Sequence, residues 1–472
     1  MMPRFLSSPY ARTTATAALL LPLAACGSGN STGSDGGPVT VTVGYQSKTI
    51  NTVTAGTLLR ARGYFERELR ALGKREGRTY EVKWQDYATG APITAQMTAG
   101  KVDIGSMGDF PLLINAARGE QLGSPNRLVS VTGYNTKGAL NTIVTRPGSG
   151  LKNVEDLRGK KVSTSEGSAA DGTLVRALGR AGIAPESGIR KLNQQPAVGA
   201  SALESGSADA LSQFVAWPGL LVHRGEARAL YDGAELGLPT FHGVTARGEF
   251  AEDSPRVVRA FLRAQRAATD YLHDEPLAAA RQVAKATGLP PEVVHLYNGA
   301  NGIATFDPTI KPAFVDALKK DASLLRKQGV IEKVDVDAFV DDSHLKSTYG
   351  KASGYRSALR NTSNPAALPG DPALAGEVWL KGADSTRAFK DPTAVLRYVA
   401  AHRAEVRAAY VPDAKTGTRW FAEAAVWVQD ANGALHPFVT SSAARFWRAE
   451  HKGARTVSYA TALKAAAEGR AE

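Results

Sequence analysis

From Val39 onward the hydrophobic and polar positions fall into two alternating patterns. Val39–Tyr45 (VTVTVGY) repeats with the two-residue period of a strand. Shorter β-branched runs at Val82–Trp84, Val102–Gly105, Val129–Thr132, Thr142–Thr145 and Lys161–Thr164 predict further strands. Between them the spacing predicts a helix ending near Gly63 and a second through Leu72. A third covers Ile93–Ala99, a short one lies around Val154–Leu157, and another runs from Glu166–Asp171 to Gly182. Strands alternating with helices over about 39–342 predict an α/β fold.

Two of the predicted helix starts share a local chemistry. Ser106–Asp109 and Ser168–Asp171 both read Ser-x-x-Asp, an acidic relative of the capping box. Each follows a predicted strand and is rich in small residues. Helix N-termini outside the carboxyl ends of strands are where open α/β sheets hold ligands, anions above all. The same pattern is equally that of two well-capped helices.

The first 38 residues do not fit the globular pattern. Arg4 and Arg12 precede an apolar run, Ala15–Leu23, that is too short for a bilayer span of about 20 residues. It is expected to be a cleaved export signal. Leu23-Ala24-Ala25-Cys26 resembles the lipobox of bacterial lipoproteins, which implies a diacylglyceryl anchor on Cys26, the chain's single cysteine. With one cysteine, a disulfide framework and a thiolate metal cluster are excluded. Residues 27–38 (GSGNSTGSDGGP) are expected to form a flexible tether.

Residues 346–376 are expected to be a linker, rich in Ser, Asn, Pro, Gly and Ala from position 351. Beyond it lie four of the six tryptophans, Trp379, Trp420, Trp427 and Trp447. The 377–472 tail therefore predicts a folded α+β domain, and it reads as a duplication. Val378-Trp379, Phe389, Tyr398, His402 and Val406–Val411 align with Val426-Trp427, Phe438, Trp447, His451 and Val457–Tyr459, giving two β-β-α-β units.

Lys and Arg exceed Asp and Glu by 57 to 45, a formal charge of +12. The basic residues are interspersed with acidic ones, so a solvated basic surface is expected and no nucleic-acid partner. No H-E-x-x-H, G-x-x-x-x-G-K-[ST] or G-x-G-x-x-G occurs. An enzyme is not expected, and neither a cofactor nor a metal.

Taken in order, Val41–Lys48 (VTVGYQSK), Gly63-Tyr64-Phe65, Ala99–Leu113 (AGKVDIGSMGDFPLL), Leu157–Val162 (LRGKKV) and Trp217-Pro218 resemble the periplasmic-binding-protein type II family. They are most similar to solute receptors of ABC importers for nitrate, taurine, aliphatic sulfonates and thiamine-pyrimidine precursors. The resemblance spans about 39–345. It implies two α/β lobes, 39–141 with 242–345 and 142–241, closing on a small solute. It also implies an ABC permease and its cytoplasmic ATPase as partners, with a monomeric receptor on the extracytoplasmic face of the membrane. The ligand loops it implies are Gln46, Ser47 and Lys48; Ser106, Met107, Gly108, Asp109 and Phe110; Glu166, Gly167, Ser168 and Ala169; Gln213 and Trp217; and His242. Trp217 is equally read as a core or hinge aromatic, and His242 is read first as a surface or hinge histidine. Glu166 would oppose an anion unless it turns outward, which leaves amine-bearing and neutral ligands open. An enzyme of pyrimidine or menaquinone biosynthesis on this fold is the catalytic alternative.

Phe389–Pro392 (FKDP), Ala409–Asp413 (AYVPD), Trp420–Ala424 (WFAEA) and Phe438–Phe446 of the tail resemble the nitrous oxide reductase accessory protein family. That family implies a copper-handling lipoprotein, the alternative function. The tail departs from it in having neither cysteine nor methionine, the ligands copper(I) prefers; His402, His436 and His451 remain.

Overall fold

A computed structural model of the protein describes residues 37–361 and 375–469. Cys26, the tether up to residue 36 and linker residues 362–374 lie outside the described residues. The chain first lays down β1 (Val39–Tyr45), β2 (Tyr80–Asp86), β3 (Ile104–Gly108) and β4 (Asn126–Asn135). It then builds β5 (Thr142–Thr145), β6 (Lys161–Thr164), β7 (Arg190–Asn193), β8 (Ala210–Gln213) and β9 (Arg228–Asp232) before returning with β10 (Thr240–Arg247) and β11 (Thr305–Phe306). These strands form a six-stranded sheet of order β11-β4-β10-β3-β1-β2 and a five-stranded sheet of order β7-β6-β8-β5-β9. The chain therefore makes two α/β lobes joined by two crossings, 136–141 and 233–239.

β1 pairs in parallel with β2 and β3, and β6 with β7 and β8. Strands buried on both faces read as apolar runs, and β5 is buried at all four positions. The 20-residue helix Pro255–Asp274 starts with Pro at its first position. Its Val257, Val258, Phe261, Leu262, Ala268 and Leu272 lie inward, and Phe261 meets Phe65 of the helix Tyr64–Glu76 edge to face at 5.2 Å.

Two local expectations differ from the structure. Ser106 lies inside β3, and the helix Asp109–Gln121 that follows is preceded by Gly108 with no side-chain cap. Burial of the whole IGSMG run in the sheet overrides the capping pattern. The sister start behaves as its sequence predicts: Ser168 caps the helix Ala169–Arg180 by accepting from the Asp171 N–H at 3.3 Å. The first part of the expected linker is helical over Ala352–Arg360, because Tyr355 on its one apolar face is buried and donates to Asp342.

The tail adds β12 (Gly376–Leu380), β13 (Arg387–Phe389), β14 (Val406–Pro412), β15 (Arg419–Phe421), β16 (Val426–Gln429), β17 (Leu435–Phe438) and β18 (Arg455–Val457). Its sheets run β13-β12-β14-β15 and β17-β16-β18, so each places its first strand between its second and third. The helices Pro392–Ala401 and Ser441–Glu450 occupy equivalent places, and each ends on a histidine stacked over the aromatic four residues earlier. The stacks are Tyr398–His402 at 4.0 Å and Trp447–His451 at 3.7 Å. A further helix, Tyr459–Glu468, covers the position where the alignment predicts the end of the last strand.

Candidate functional site

A cavity of about 200 Å³ lies between the lobes. Thr89, Gly90, Ala91, Thr94, Pro111 and Ile114 line it from the first lobe; Ser165–Ser168 and Asn193–Gln195 line it from the second. Four helices begin at its wall: Gly90–Thr98 after Thr89, Asp109–Gln121, Ala169–Arg180 after Ser168, and Pro196–Glu204 after Gln195. The starts after Thr89, Gly108 and Gln195 have no side-chain cap from the preceding residue; in the second of these the Asp109 carboxylate takes the Phe110 N–H, and Pro196 at the start of the last has no N–H to give. Each helix N-terminus carries about half a positive charge. Their convergence makes the cavity a place for an anion.

The floor on the second-lobe side is fixed by hydrogen bonds. The buried Gln213 amide donates to Ser165 Oγ at 3.1 Å and to the Gln194 carbonyl at 3.3 Å. Ser165 Oγ donates in turn to the Gln194 carbonyl at 2.9 Å, and Ser163 to its side chain at 2.8 Å. Glu166 is exposed, and its N–H donates to Asn193 Oδ1 at 3.2 Å. Gly167 takes φ +72, where a side chain would be strained, and its N–H donates to Asp171.

On the first-lobe side Gln46 is buried and donates to the Ser106 carbonyl at 3.1 Å. The Ser106 hydroxyl is buried without a partner among the described residues. Asn51 Nδ2 lies 2.6 Å from His242 Nδ1 and also donates to the Gly133 carbonyl. An amide donor at Nδ1 leaves the imidazole proton on Nε2. Burial pushes His242 down to about 3, so the ring is neutral. A Cβ on Gly108 would lie 3.1 Å from His242 Nε2 and 3.4 Å from the Ala169 Cβ, so the lobes meet here.

Asp109 and Phe110 serve the lobe contact. Asp109 accepts from the Phe110 N–H at 2.8 Å and the Phe241 N–H at 3.3 Å, and burial raises it to about 6. The Phe110 ring packs on Gly172 of the second lobe, where a Cβ would fall 2.3 Å from the ring. Beside it Arg176 of the second lobe pairs with Asp321 of the first at 2.5 Å. The lobes are therefore in their closed arrangement.

Of the residues expected from sequence, Glu166, Gly167 and Ser168 line the cavity. Gln213, Gly108, Ala169 and His242 stand behind its wall, and Met107 packs against Thr94. Ser47, whose N–H is held by Asp86, and exposed Lys48 are not among the lining residues. Trp217 is half-buried against the large apolar cluster that includes Leu220 and Leu296. Thr89, Gly90, Thr94 and Asn193–Gln195 were not expected. Their signal was a strand followed by a polar residue and, at Pro196, by proline at the first helical position. Among the described residues no three His, Cys, Asp or Glu side chains are grouped to hold a metal ion, and no helix is long and apolar enough to cross a membrane.

Residues 80–279 match the family described as NMT1/THI5 like. A protein of Escherichia coli (strain K12) named as aliphatic sulfonates-binding is 26% identical over 301 residues, covering 63% of this chain and 88% of the relative. A Bacillus subtilis (strain 168) protein of the same name is 26% identical over 333 residues, covering 70% and 94%. Among solved structures, the alkanesulfonate-binding protein SsuA from Xanthomonas axonopodis pv. citri, bound to MOPS, aligns with a TM-score of 0.54 at 25% identity, covering 64% of this chain and 98% of that one. The two lobes are those of the periplasmic-binding-protein type II fold, and these relatives are named as binding proteins.

Proposed function

Residues 80–279 match the NMT1/THI5-like family, and from that premise we propose that the protein is the extracytoplasmic receptor of an ABC importer for a small organic sulfonate such as taurine. The observation that carries this reading is the convergence of four helix starts, three of them without side-chain caps, on one small inter-lobe cavity. A sulfonate has three acceptor oxygens and a charge that no ordinary pH removes. It suits a wall of N–H and hydroxyl donors that contains no buried cation. Glu166 lines the cavity but is solvent-exposed, so water screens its charge from an anion. The names of the relatives point to the same class.

Magnitudes bear on how binding is achieved. Four helix termini at about 0.3–1 kcal/mol each fall short of the roughly 8 kcal/mol of micromolar affinity. Charge-assisted hydrogen bonds, at about 1.5–3 kcal/mol each, cover the difference once closure removes water. Ser168, the Thr89 hydroxyl and the Asn193–Gln195 side chains are the donors assigned to the sulfonate. No bond is made or broken; the permease distinguishes the closed, loaded receptor by the surface that closure presents. The reading includes a diacylglyceryl anchor on Cys26, supported by the lipobox sequence alone and tested by acyl-chain labelling that Cys26→Ser abolishes.

Calorimetric titration with ethanesulfonate, ethylamine and a neutral sulfone of equal size tests the charge of the ligand. Binding of the sulfonate only is expected. Binding of the amine or the sulfone in its place would refute the helix-terminus argument.

A further inference from the structure

The two crossings between the lobes touch backbone to backbone. The Gly233 N–H donates to the Asn141 carbonyl and the Leu238 N–H to the Lys137 carbonyl, each at 3.1 Å. Gly138, at φ +107, lies so close that a Cβ would fall 2.7 Å from the Gly233 carbonyl oxygen. This is the hinge. Directly against it lies a loop of the tail, residues 413–418 between β14 and β15.

The loop holds both crossings and the strand end beside them. Lys137 of the first crossing donates to the Thr416 carbonyl at 2.8 Å. Glu235 of the second lies 3.6 Å from Lys415. Asp232, closing β9, accepts from the hydroxyls of Thr416 at 2.8 Å and Thr418 at 2.7 Å. The loop is itself pinned, because Asp413 accepts from the N–H groups of Lys415, Thr416 and Val439.

The rest of the tail is fastened by polar contacts to the first lobe, and its aromatic face packs on both lobes. Tyr410 donates to the Glu292 carbonyl at 2.9 Å, and Arg407 pairs with the Glu292 carboxylate at 2.5 Å. The buried Glu377 lies 3.3 Å from His295, and Arg419 donates to the Asn301 carbonyl at 2.7 Å. Trp379, Tyr410, Trp420 and Phe421 share one apolar cluster with Val293, Leu296 and Leu220. One rigid body thus grips the first lobe, the hinge and the end of the second-lobe sheet.

We propose that the tail is a hinge clamp: seated on both lobes while the cleft is closed, it favours closure and so sets solute affinity and release. The inference rests on the receptor reading above. Opening must rotate Asp232 and Glu235 relative to Glu292 and Asn301, so contacts to one set must break. Affinity for solute scales with the fraction of receptor that is competent to close.

The test uses the full chain with Cys26→Ser, which leaves no native cysteine, and spin labels at Lys152→Cys and Lys333→Cys, one exposed site on each lobe. In Thr416→Val/Thr418→Val, solute-free inter-lobe distances are expected to shift to longer values and the Kd for ethanesulfonate to rise about tenfold, mostly through faster release. Lys137→Ala, a milder surface change, is expected to shift both in the same direction by less. His436→Ala, in the distal half of the tail, is expected to shift neither. Unchanged distances and Kd in both hinge variants would overturn the clamp. If the parent chain binds no sulfonate, the receptor reading fails by itself, and the solute-free distances still decide whether the tail restrains the hinge.

Discussion

Gly172→Ala separates lobe closure from folding. Gly172 sits inside the helix Ala169–Arg180 of the second lobe, and an added Cβ would lie 2.3, 2.4 and 2.8 Å from three ring atoms of Phe110 on the first lobe. Phe110 is 3% exposed, so the ring is enclosed by its neighbours. Overpacking of this kind costs about 1–3 kcal/mol. The clash exists only across the closed cleft, so an open receptor escapes it, and the cost falls on the solute-bound state. At about 1.4 kcal/mol per factor of ten, the Kd for the sulfonate should rise about fivefold to 150-fold. Alanine is the better helix former by about 1 kcal/mol, so the solute-free protein should melt about 2 °C higher. Calorimetric titration and solute-free thermal unfolding measure the two effects on one preparation. Unchanged affinity beside a raised melting temperature would mean that Phe110 and Gly172 do not meet in the bound form, and the closure geometry would be wrong.

Three further outcomes are expected. Glu377→Ala leaves the buried Arg419 without its carboxylate and should lower the unfolding free energy by about 3–5 kcal/mol in denaturant titration; a loss below about 1 kcal/mol would contradict a buried ion cluster. Burial first, and then the neighbouring Asp413, raise Asp232 to about 6, above the roughly 3.9 of an unfolded chain. The folded protein therefore holds this proton longer than the unfolded chain, and about 3 kcal/mol of stability should be lost as pH rises from about 4 to 6. Asp232→Asn should remove that contribution, and a difference between the two proteins that is flat or opposite in sign would refute it. Ser168→Ala removes the only side-chain cap at the four helix starts and a hydroxyl facing the cavity; a loss of about 1 kcal/mol in stability and about fivefold or more in sulfonate affinity is expected, and unchanged affinity would exclude Ser168 from the site.

Where local pattern and tertiary burial agree, the sequence was readable. β1, β5 and β6 occupy the runs their β-branched residues predict, and Ser168 caps its helix because nothing buries it in a sheet. Ser106 carries the same four-residue pattern, yet sheet pairing of β3 with β10 decides its conformation. The α/β alternation followed from spacing, the division into two lobes from the family resemblance, and the repeated strand order of the tail from its internal alignment. The cavity was less legible. Thr89 and Asn193–Gln195 flank short strands with little apolar contrast, and Arg190–Asn193 has no fully buried position. That four helix starts face one another is a product of how two sheets close, which no local pattern encodes. The seating of the tail was equally hidden, because Thr416 and Thr418 read as ordinary turn residues until Asp232 is brought to them across 184 positions of chain.

The central claim is that the inter-lobe cavity takes a small organic sulfonate. Thermal unfolding of the soluble chain beginning after Cys26, with taurine, ethanesulfonate, nitrate, a thiamine-type pyrimidine and copper(I) offered separately, tests it most directly. A sulfonate at 100 times its Kd should add about 2.7 kcal/mol and raise the melting temperature in a concentration-dependent way. Stabilisation by copper(I) alone, with no response to any sulfonate, would contradict the account and move the function to the tail.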